Sequence, residues 1–236
     1  MKFDLSVVGL GKLGATMLAC FASKGFHSIG YDKNLKISKN INDGNAPNNE
    51  TNLNKLIQRN KKRIHATYNL SKIIHKTNKT FIVVPTPTAK DGTYDLKILK
   101  NCLRDIAKEL KKKKSYHLII LCSTVMPEDS EKYLIPLIEK YSKKKLGLEF
   151  GFIYSPEFIS LGNIINEYLN PQLVLVGYKN TKNKIKIFKI YKKIYSKKIF
   201  KFMNLKDAEL TKISINSFMT MKISFSNMVG LLCLKM

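Results

Sequence analysis

The sequence predicts an α/β protein: a Rossmann-type doubly wound parallel sheet followed by a long helix. Three observations carry that expectation. Short apolar runs alternate with segments of helical spacing through most of the chain, which is the pattern of a parallel sheet covered on both faces. The first apolar run leads into "VVGLGKLG" at residues 7–14, a Gly9-x-Gly11-x-x-Gly14 turn. After the last strand, Asp207 to Met236 reads as one continuous helix of about 45 Å at ~1.5 Å per residue, with no strand behind it.

The elements follow in order. Leu5 to Val8 reads as a buried strand, and Lys12 to Lys24 places Leu13, Met17, Leu18 and Phe21 on one helical face. "HSIGYDKN" is the next strand, ending at Asp32, and the polar stretch "NINDGNAPNNETN" reads as a loop before a helix from Leu53 to Asn60. Arg63 to Thr67 is a short strand, "NLSKIIHK" a short helix, and "KTFIVVPTPT" a strand with Phe81 to Val84 buried. Leu96 to Lys111 is an amphipathic helix, "YHLIILCSTV" a strand, and Ser130 to Ser142 a helix with Pro127 near its start. "FGFIYSPEF" is a strand, and "QLVLVG" and "KIFKF" are later strands flanking a Lys184 to Tyr195 helix. Asp207 and Glu209 suit the first turn of the final helix, where acids complement the dipole.

Strand, glycine turn and helix together form the context a dinucleotide needs. Gly9 permits the tight turn, Gly11 lets backbone approach a pyrophosphate, and Gly14 lets helix pack close to strand. The helix start then offers free N–H groups and a positive dipole end to phosphates. Asp32 lies eighteen residues past Gly14, near the expected spacing of about 20. A carboxylate there accepts from both adenosine ribose hydroxyls and repels a 2′-phosphate, which favours NAD over NADP, although Lys33 and Lys36 soften that preference. The bland alternative is an ordinary βαβ unit with a solvated Asp.

Ligands of open parallel sheets bind beyond the carboxyl ends of the strands. The polar residues there are "PTPT" (Pro85 to Thr88), "STVMP" with Ser123 and Thr124, and "SPEF" with Glu157. Each one alone reads as a turn or a helix cap. Three on one edge beside a glycine turn read as a site, and Glu157, between Pro156 and Phe158, has the setting of a general acid/base. The cofactor-contact candidates are therefore Gly9, Gly11, Lys12, Leu13, Gly14, Asp32, Val84, Pro85, Thr86, Ser123 and Thr124.

Composition sets limits. With 236 residues, 44% of them hydrophobic, the chain buries one good core. No run is apolar enough to span a membrane, and the N-terminus does not read as a signal peptide. Cys20, Cys102, Cys122 and Cys233 show no CxxC spacing and read as reduced, buried thiols of a cytoplasmic protein. The net charge of +25 is spread over Lys111–Lys114, Lys143–Lys145 and the Lys184 to Lys201 stretch. The first two runs follow helices and the third is one face of a helix, so no nucleic-acid partner is expected; the Asn- and Ile-rich, Trp-free composition matches A/T-rich codon usage.

Seven segments, in order, resemble those of the UDP-glucose/GDP-mannose 6-dehydrogenases, the nucleotide-sugar dehydrogenases. They are "VVGLGKLG", "YDKN", "DGNAPNNETNLNKLI", "VVPTPTAKDGTYDL", "CSTVMPEDSEK", "YSPEFISLGNIINEYLNPQLVLVG" and "DAELTKISINSFMTMKISFSN", and together they cover essentially the whole chain. The resemblance implies oxidation of the C6 alcohol of a nucleotide sugar to a carboxylate with two NAD⁺ and no metal, through a thiohemiacetal and a thioester. It implies that Glu157 handles protons and water in thioester hydrolysis, that Thr124 positions that water and contacts NAD, and that Lys212 and Asn216 stabilise the oxyanion. Lys212 and Asn216 are four residues apart and share a helix face, as two donors aimed at one oxygen would. The resemblance also implies a division into an NAD-binding domain, 1–204, and the start of a central helical dimerisation domain, 205–236, through which a homodimer or partner subunit would pair.

Two departures qualify it. Leu161 and Ser160 stand where many members have Glu and Arg or Ala. The family's nucleophilic cysteine lies in a G-G-x-C segment, and no cysteine here has that context. The expectation is a truncated or split form without the nucleophile and the nucleotide-sugar-binding domain. The competing readings are a catalytically inactive NAD-binding subunit or interaction protein and, more remotely, a nucleic-acid binder. Which nucleotide sugar would be used is not legible.

Overall fold

A computed structural model describes residues 3–160, 162–195 and 199–235. Eight strands form one sheet in the order β3-β2-β1-β4-β5-β6-β7-β8. They are β1 (Leu5–Val8), β2 (Ser28–Tyr31), β3 (Ile64–Thr67), β4 (Lys79–Ile82), β5 (His117–Leu121), β6 (Phe150–Tyr154), β7 (Leu173–Tyr178) and β8 (Ile199–Met203). The helices are α1 (Lys12–Ser23), α2 (Leu35–Asp43), α3 (Leu53–Arg59), α4 (Leu70–Lys76), α5 (Lys97–Lys112), α6 (Ile135–Ser142), α7 (Ile164–Leu169), α8 (Thr181–Ile194) and α9 (Leu205–Cys233).

The side-chain period of two sorts each strand into two cores, one per face of the sheet. Leu5, Val7, Phe81, Leu118 and Ile120 join α1, α3 and α8 on one face. Val8, Ile82, Ile119 and Leu121 join α4, α5 and α6 on the other. The chain starts on the central β1 and winds outward in both directions, so a crevice opens where β1 and β4 send their connections to opposite faces.

Several expectations are corrected. The stretch after Asp32 is not all loop, because α2 covers Leu35–Asp43. Asn34 caps its start by accepting from the Lys36 N–H, and Gly44, at φ +94°, ends it. Of Phe81 to Val84, only Phe81 and Ile82 are in the strand and buried; Val83 and Val84 are half-buried beyond it. The helix expected from Ser130 opens as a π-helical turn, Ser130–Leu134, before α6. Pro136, which has no N–H to donate, sits at the junction.

The sheet is not wholly parallel. β1 to β6 are, but β7 runs antiparallel to β6, and β8 runs parallel to β7. The intervening α7 has only six residues and packs on α1. It is too short to carry the chain back over the sheet as a crossover helix does. The chain therefore stays at the rim where β6 ended, and β7 runs back from there.

Charge and thiol expectations change too. Lys113 and Lys144, from the lysine runs, are buried, and Cys233 is exposed while Cys102 is half-buried. Among the described residues no helix is long and apolar enough to cross a membrane, and no group of three or more His, Cys, Asp or Glu side chains is placed to hold a metal.

Candidate active site

The glycine turn has the local geometry its spacing predicts. Gly9 has φ +89°, and its N–H donates to the Tyr31 carbonyl at 2.9 Å. A Cβ on Gly14 would lie 1.8 Å from the Gly9 carbonyl oxygen, so only glycine lets α1 start this close to β1. A Cβ on Gly11 would meet nothing within 4 Å. That open space is where the backbone is free to receive a ligand. Gly11 caps α1 with no side-chain hydrogen bond, which leaves the first-turn N–H groups to the cleft.

Asp32, just past β2, is half-buried. Its Oδ2 accepts the Leu10 N–H and its Oδ1 the Asn34 N–H, both at 2.9 Å. These bonds fix the carboxylate and leave further lone pairs facing the cleft. Opposite, Ser123 Oγ donates to the Val84 carbonyl at 2.6 Å and accepts from the Val84 N–H at 3.1 Å. Thr86 Oγ1 donates to the Thr124 carbonyl at 2.7 Å. The loops after β4 and β5 are thereby tied together at the crevice.

Glu157 follows β6. Burial pushes its carboxyl up to about 8, with the Lys212 ammonium pulling the other way. Lys212 lies on α9 and is buried. Its Nζ donates to the Glu157 backbone carbonyl at 2.6 Å and sits 4.3 Å from the centre of the Phe158 ring. Burial lowers Lys212 to about 8, opposed by the Glu157 charge. A carboxyl and an amine, both shifted to about 8, thus meet at Glu157, the amine on its backbone carbonyl.

One cleft of about 720 Å³ gathers Gly9, Gly11, Lys12, Leu13, Gly14, Asp32, Val84, Pro85, Thr86, Ser123, Thr124 and Glu157 along its walls. It crosses from β2 to β6, four strand spacings or about 19 Å at ~4.8 Å each. Lys212 is not among the lining residues but donates to the carbonyl of Glu157, which is, and Asn216, one turn further along α9, is exposed and does not line the cleft. Ser160 is exposed with its N–H on Glu167 Oε2 at 2.6 Å, and Leu161 lies outside the described residues.

The sequence model of the UDP-glucose/GDP-mannose dehydrogenase family, NAD binding domain, matches residues 3–197. The chain belongs to this family. It is 30% identical to the UDP-glucose 6-dehydrogenase AglM of Haloferax volcanii over 98% of this chain and 54% of that protein. It is 30% identical to the GDP-mannose 6-dehydrogenase of Pseudomonas aeruginosa, over 96% of this chain and 52% of that one. The fold superposes on the crystal structure of a ternary complex of the Pseudomonas aeruginosa GDP-mannose dehydrogenase with a TM-score of 0.91 at 29% identity, covering 95% of this chain and 51% of that one. For the UDP-glucose dehydrogenase of Pyrobaculum islandicum the TM-score is 0.90 at 29% identity, covering 98% and 53%. The chain thus spans about half the length of the relatives it matches.

The cleft of this family member suits NAD in its chemistry: N–H groups and open space at Gly11, a carboxylate at Asp32 and, among the described residues, no cation fixed at the Asp32 oxygens. It also holds residues outside the cofactor contacts expected from the sequence. Ile98, Asn101, Cys102 and Asp105 of α5 form a stripe at helical spacing that faces the cleft, with Tyr31, Lys33 and Leu70 across from it. The spacing was visible in the sequence, but the apolar face Leu99, Leu103, Ile106 and Leu110 dominates that helix and draws attention to the core.

Proposed function

We propose that the chain supplies the NAD-binding and part of the catalytic machinery of a nucleotide-sugar 6-dehydrogenase. The observation that carries this is the single cleft shared by the glycine turn, Asp32 and Glu157. In this reading the adenosine ribose sits on Asp32, the pyrophosphate on the α1 start, and the nicotinamide half over the ends of β4, β5 and β6. NAD⁺, when bound, supplies the oxidising equivalent for the C6 alcohol of the sugar. Glu157, protonated below about pH 8, holds a proton where substrate oxygen or water would exchange it. Thr124 orders that water at the rim. Lys212, with Asn216 one turn on, would aim at the oxyanion; Lys212 reaches it by leaving the Glu157 carbonyl it now holds. A cytoplasmic setting suits the four unpaired thiols.

Residues 205–236 open, in this reading, a helical dimerisation domain. The exposed apolar side chains of α9, such as Phe218, Met221, Phe225, Leu231 and Leu232, favour a homodimer or a partner subunit. Light scattering tests this: a monodisperse monomer defeats it.

A second reading, an NAD-binding subunit without turnover of its own, is favoured by the cysteines. Burial pushes Cys20 and Cys102 up to about 12 and Cys122 well above its ordinary value, so none of them offers a thiolate near neutrality. Two measurements test both readings against the alternative of no cofactor. Calorimetry should show NAD⁺ binding that weakens about tenfold or more in Asp32→Ala. NADPH binding tighter than NADH overturns the assignment of Asp32. Following NADH with UDP-glucose and GDP-mannose should show no sustained turnover by these 236 residues alone.

A further inference from the structure

Glu209 lies on α9 and is fully buried. Its Oε2 accepts the Glu128 N–H at 2.6 Å, and its Oε1 accepts the Ser130 N–H at 3.1 Å. It therefore does more than complement the dipole of the helix start, the role its place in the sequence suggests. Burial raises its pKa, and the hydrogen bonds from Ser130 and Glu128 work against that. A carboxylate buried on two backbone amides is a pin, and what it pins is unusual. Glu128 has φ +75°, in the left-handed region that disfavours a residue with a Cβ. Its own side chain pairs with surface lysines, Lys132 at 2.5 Å and Lys206 at 2.7 Å.

The pinned turn is the far end of the loop that leaves β5. The near end carries Ser123 and Thr124 into the cleft, and the Met126 N–H closes the loop on Asp129 Oδ2 at 2.8 Å. Three residues after Glu209, Lys212 holds the carbonyl of Glu157 after β6. One face of α9 thus grips two of the loops that form the rim.

We infer that Glu209 is a positioning residue for the nicotinamide half of the cofactor. By holding the left-handed turn at Glu128, it sets where Ser123 and Thr124 stand in the cleft. The adenosine half, carried by the glycine turn and Asp32, is independent of it. This rests on the cofactor orientation proposed above.

Calorimetry on the whole chain with NAD⁺ and with ADP tests it. Glu209→Gln, which keeps one acceptor and loses the other, is expected to weaken NAD⁺ about tenfold and leave ADP within about twofold. Adding Glu128→Gly relieves the left-handed turn, so the loop holds its shape without the pin and NAD⁺ affinity returns to within about threefold. The surface ion pairs lost with that glycine contribute little. A purely structural role in docking α9 would not be rescued this way. Unchanged NAD⁺ binding, equal weakening of NAD⁺ and ADP, or no rescue by glycine each overturns the inference. If Glu209→Gln does not fold, Glu209→Asp, with its carboxylate one methylene short, reads the same split, and equal loss of both ligands overturns it. A wild-type chain that binds neither ligand overturns the cofactor reading as well; a wild-type chain that binds both leaves that reading standing whatever Glu209 does.

Discussion

The two ends of the sheet both collect polar side chains and use them in opposite ways. Toward the strand starts, Ser6 Oγ meets Thr77 Oγ1 at 3.0 Å and Thr80 Oγ1 at 2.7 Å, and Thr80 Oγ1 meets His117 Nε2 at 2.8 Å. Lys113 Nζ closes the chain, 3.0 Å from His117 Nδ1, donating also to the Ile74 carbonyl at 2.6 Å and to that of Thr77. Lys144 Nζ in turn donates to the Lys113 carbonyl at 2.5 Å. Buried lysines here stand in for C-terminal caps of α4 and α5. At the strand ends, the α1 N–H groups, Asp32 and Glu157 face an open cleft instead. Polar groups that satisfy one another hold a structure together. Polar groups fixed in place but left open to a cleft are available to a ligand, and this contrast, more than polarity itself, separates site from scaffold.

The sharpest test of that contrast lies within the glycine turn. Gly14→Ala puts a Cβ 1.8 Å from a backbone oxygen and should abolish folding, seen as loss of the cooperative thermal transition. At the sealed end, Lys113→Met orphans buried carbonyls and should cost roughly 2–4 kcal/mol in urea melts, with NAD⁺ affinity unchanged. A large change in NAD⁺ affinity there would erase the distinction between the two ends. The same lysine makes a pH prediction. Burial, with Lys144 adding to it, lowers Lys113 from 10.5 to about 8. Between those values the unfolded chain binds the proton that the folded chain has released, so this group's contribution to stability rises with pH across the window and falls again on acidification. That contribution should vanish in Lys113→Met.

Smaller effects are expected at the open end. Gly11→Ala has room for its Cβ, so the fold should persist while NAD⁺ binding falls about tenfold or more, because in the proposed orientation the Cβ enters the space of the pyrophosphate. Equal damage from Gly11→Ala and Gly14→Ala would show that the turn has no separate binding role. Smallest is Lys212→Met. Removing the cation beside Glu157 should move that carboxyl above about 8, read by carbon NMR titration; a downward move would contradict the geometry.

Legibility in the sequence followed the range of the physics. The glycine turn and Asp32 are local features, set by sterics within a few residues, and their geometry is as expected. The π-helical opening of α6 and the capped α2 are local too, but their signals, Pro136 and the Asn34…Gly44 pair, sit inside stretches that read as plain helix and plain loop. The reversal of β7 could not be read, since "LVLVG" is equally apolar in either direction and the short α7 that makes the connection shows no reversal signal in the sequence. Lysine runs look solvated because nothing local reveals that Lys113 and Lys144 meet carbonyls of distant elements. Asn216 shares a helix face with Lys212, as expected, yet stands in the open because α9 leaves the body of the protein after its first turns.

The reversed strand also divides the molecule mechanically. β6 meets β7 through two register pairs, whereas β5 meets β6, and β7 meets β8, through five each. The ladder is thin at that seam, and side chains of α8 (Ile187, Ile190, Tyr191) and of α9 (Leu205, Ala208) help to join its two sides. In native-state hydrogen exchange the β7–α8–β8–α9 unit should therefore open as one foldon, with a protection free energy below that of β1 to β5. Because Glu209 and Lys212 travel with that unit, each such opening would release both rim loops at once. Access to the rim would then be governed by how often a sub-global unit opens, and the loops need no hinge of their own.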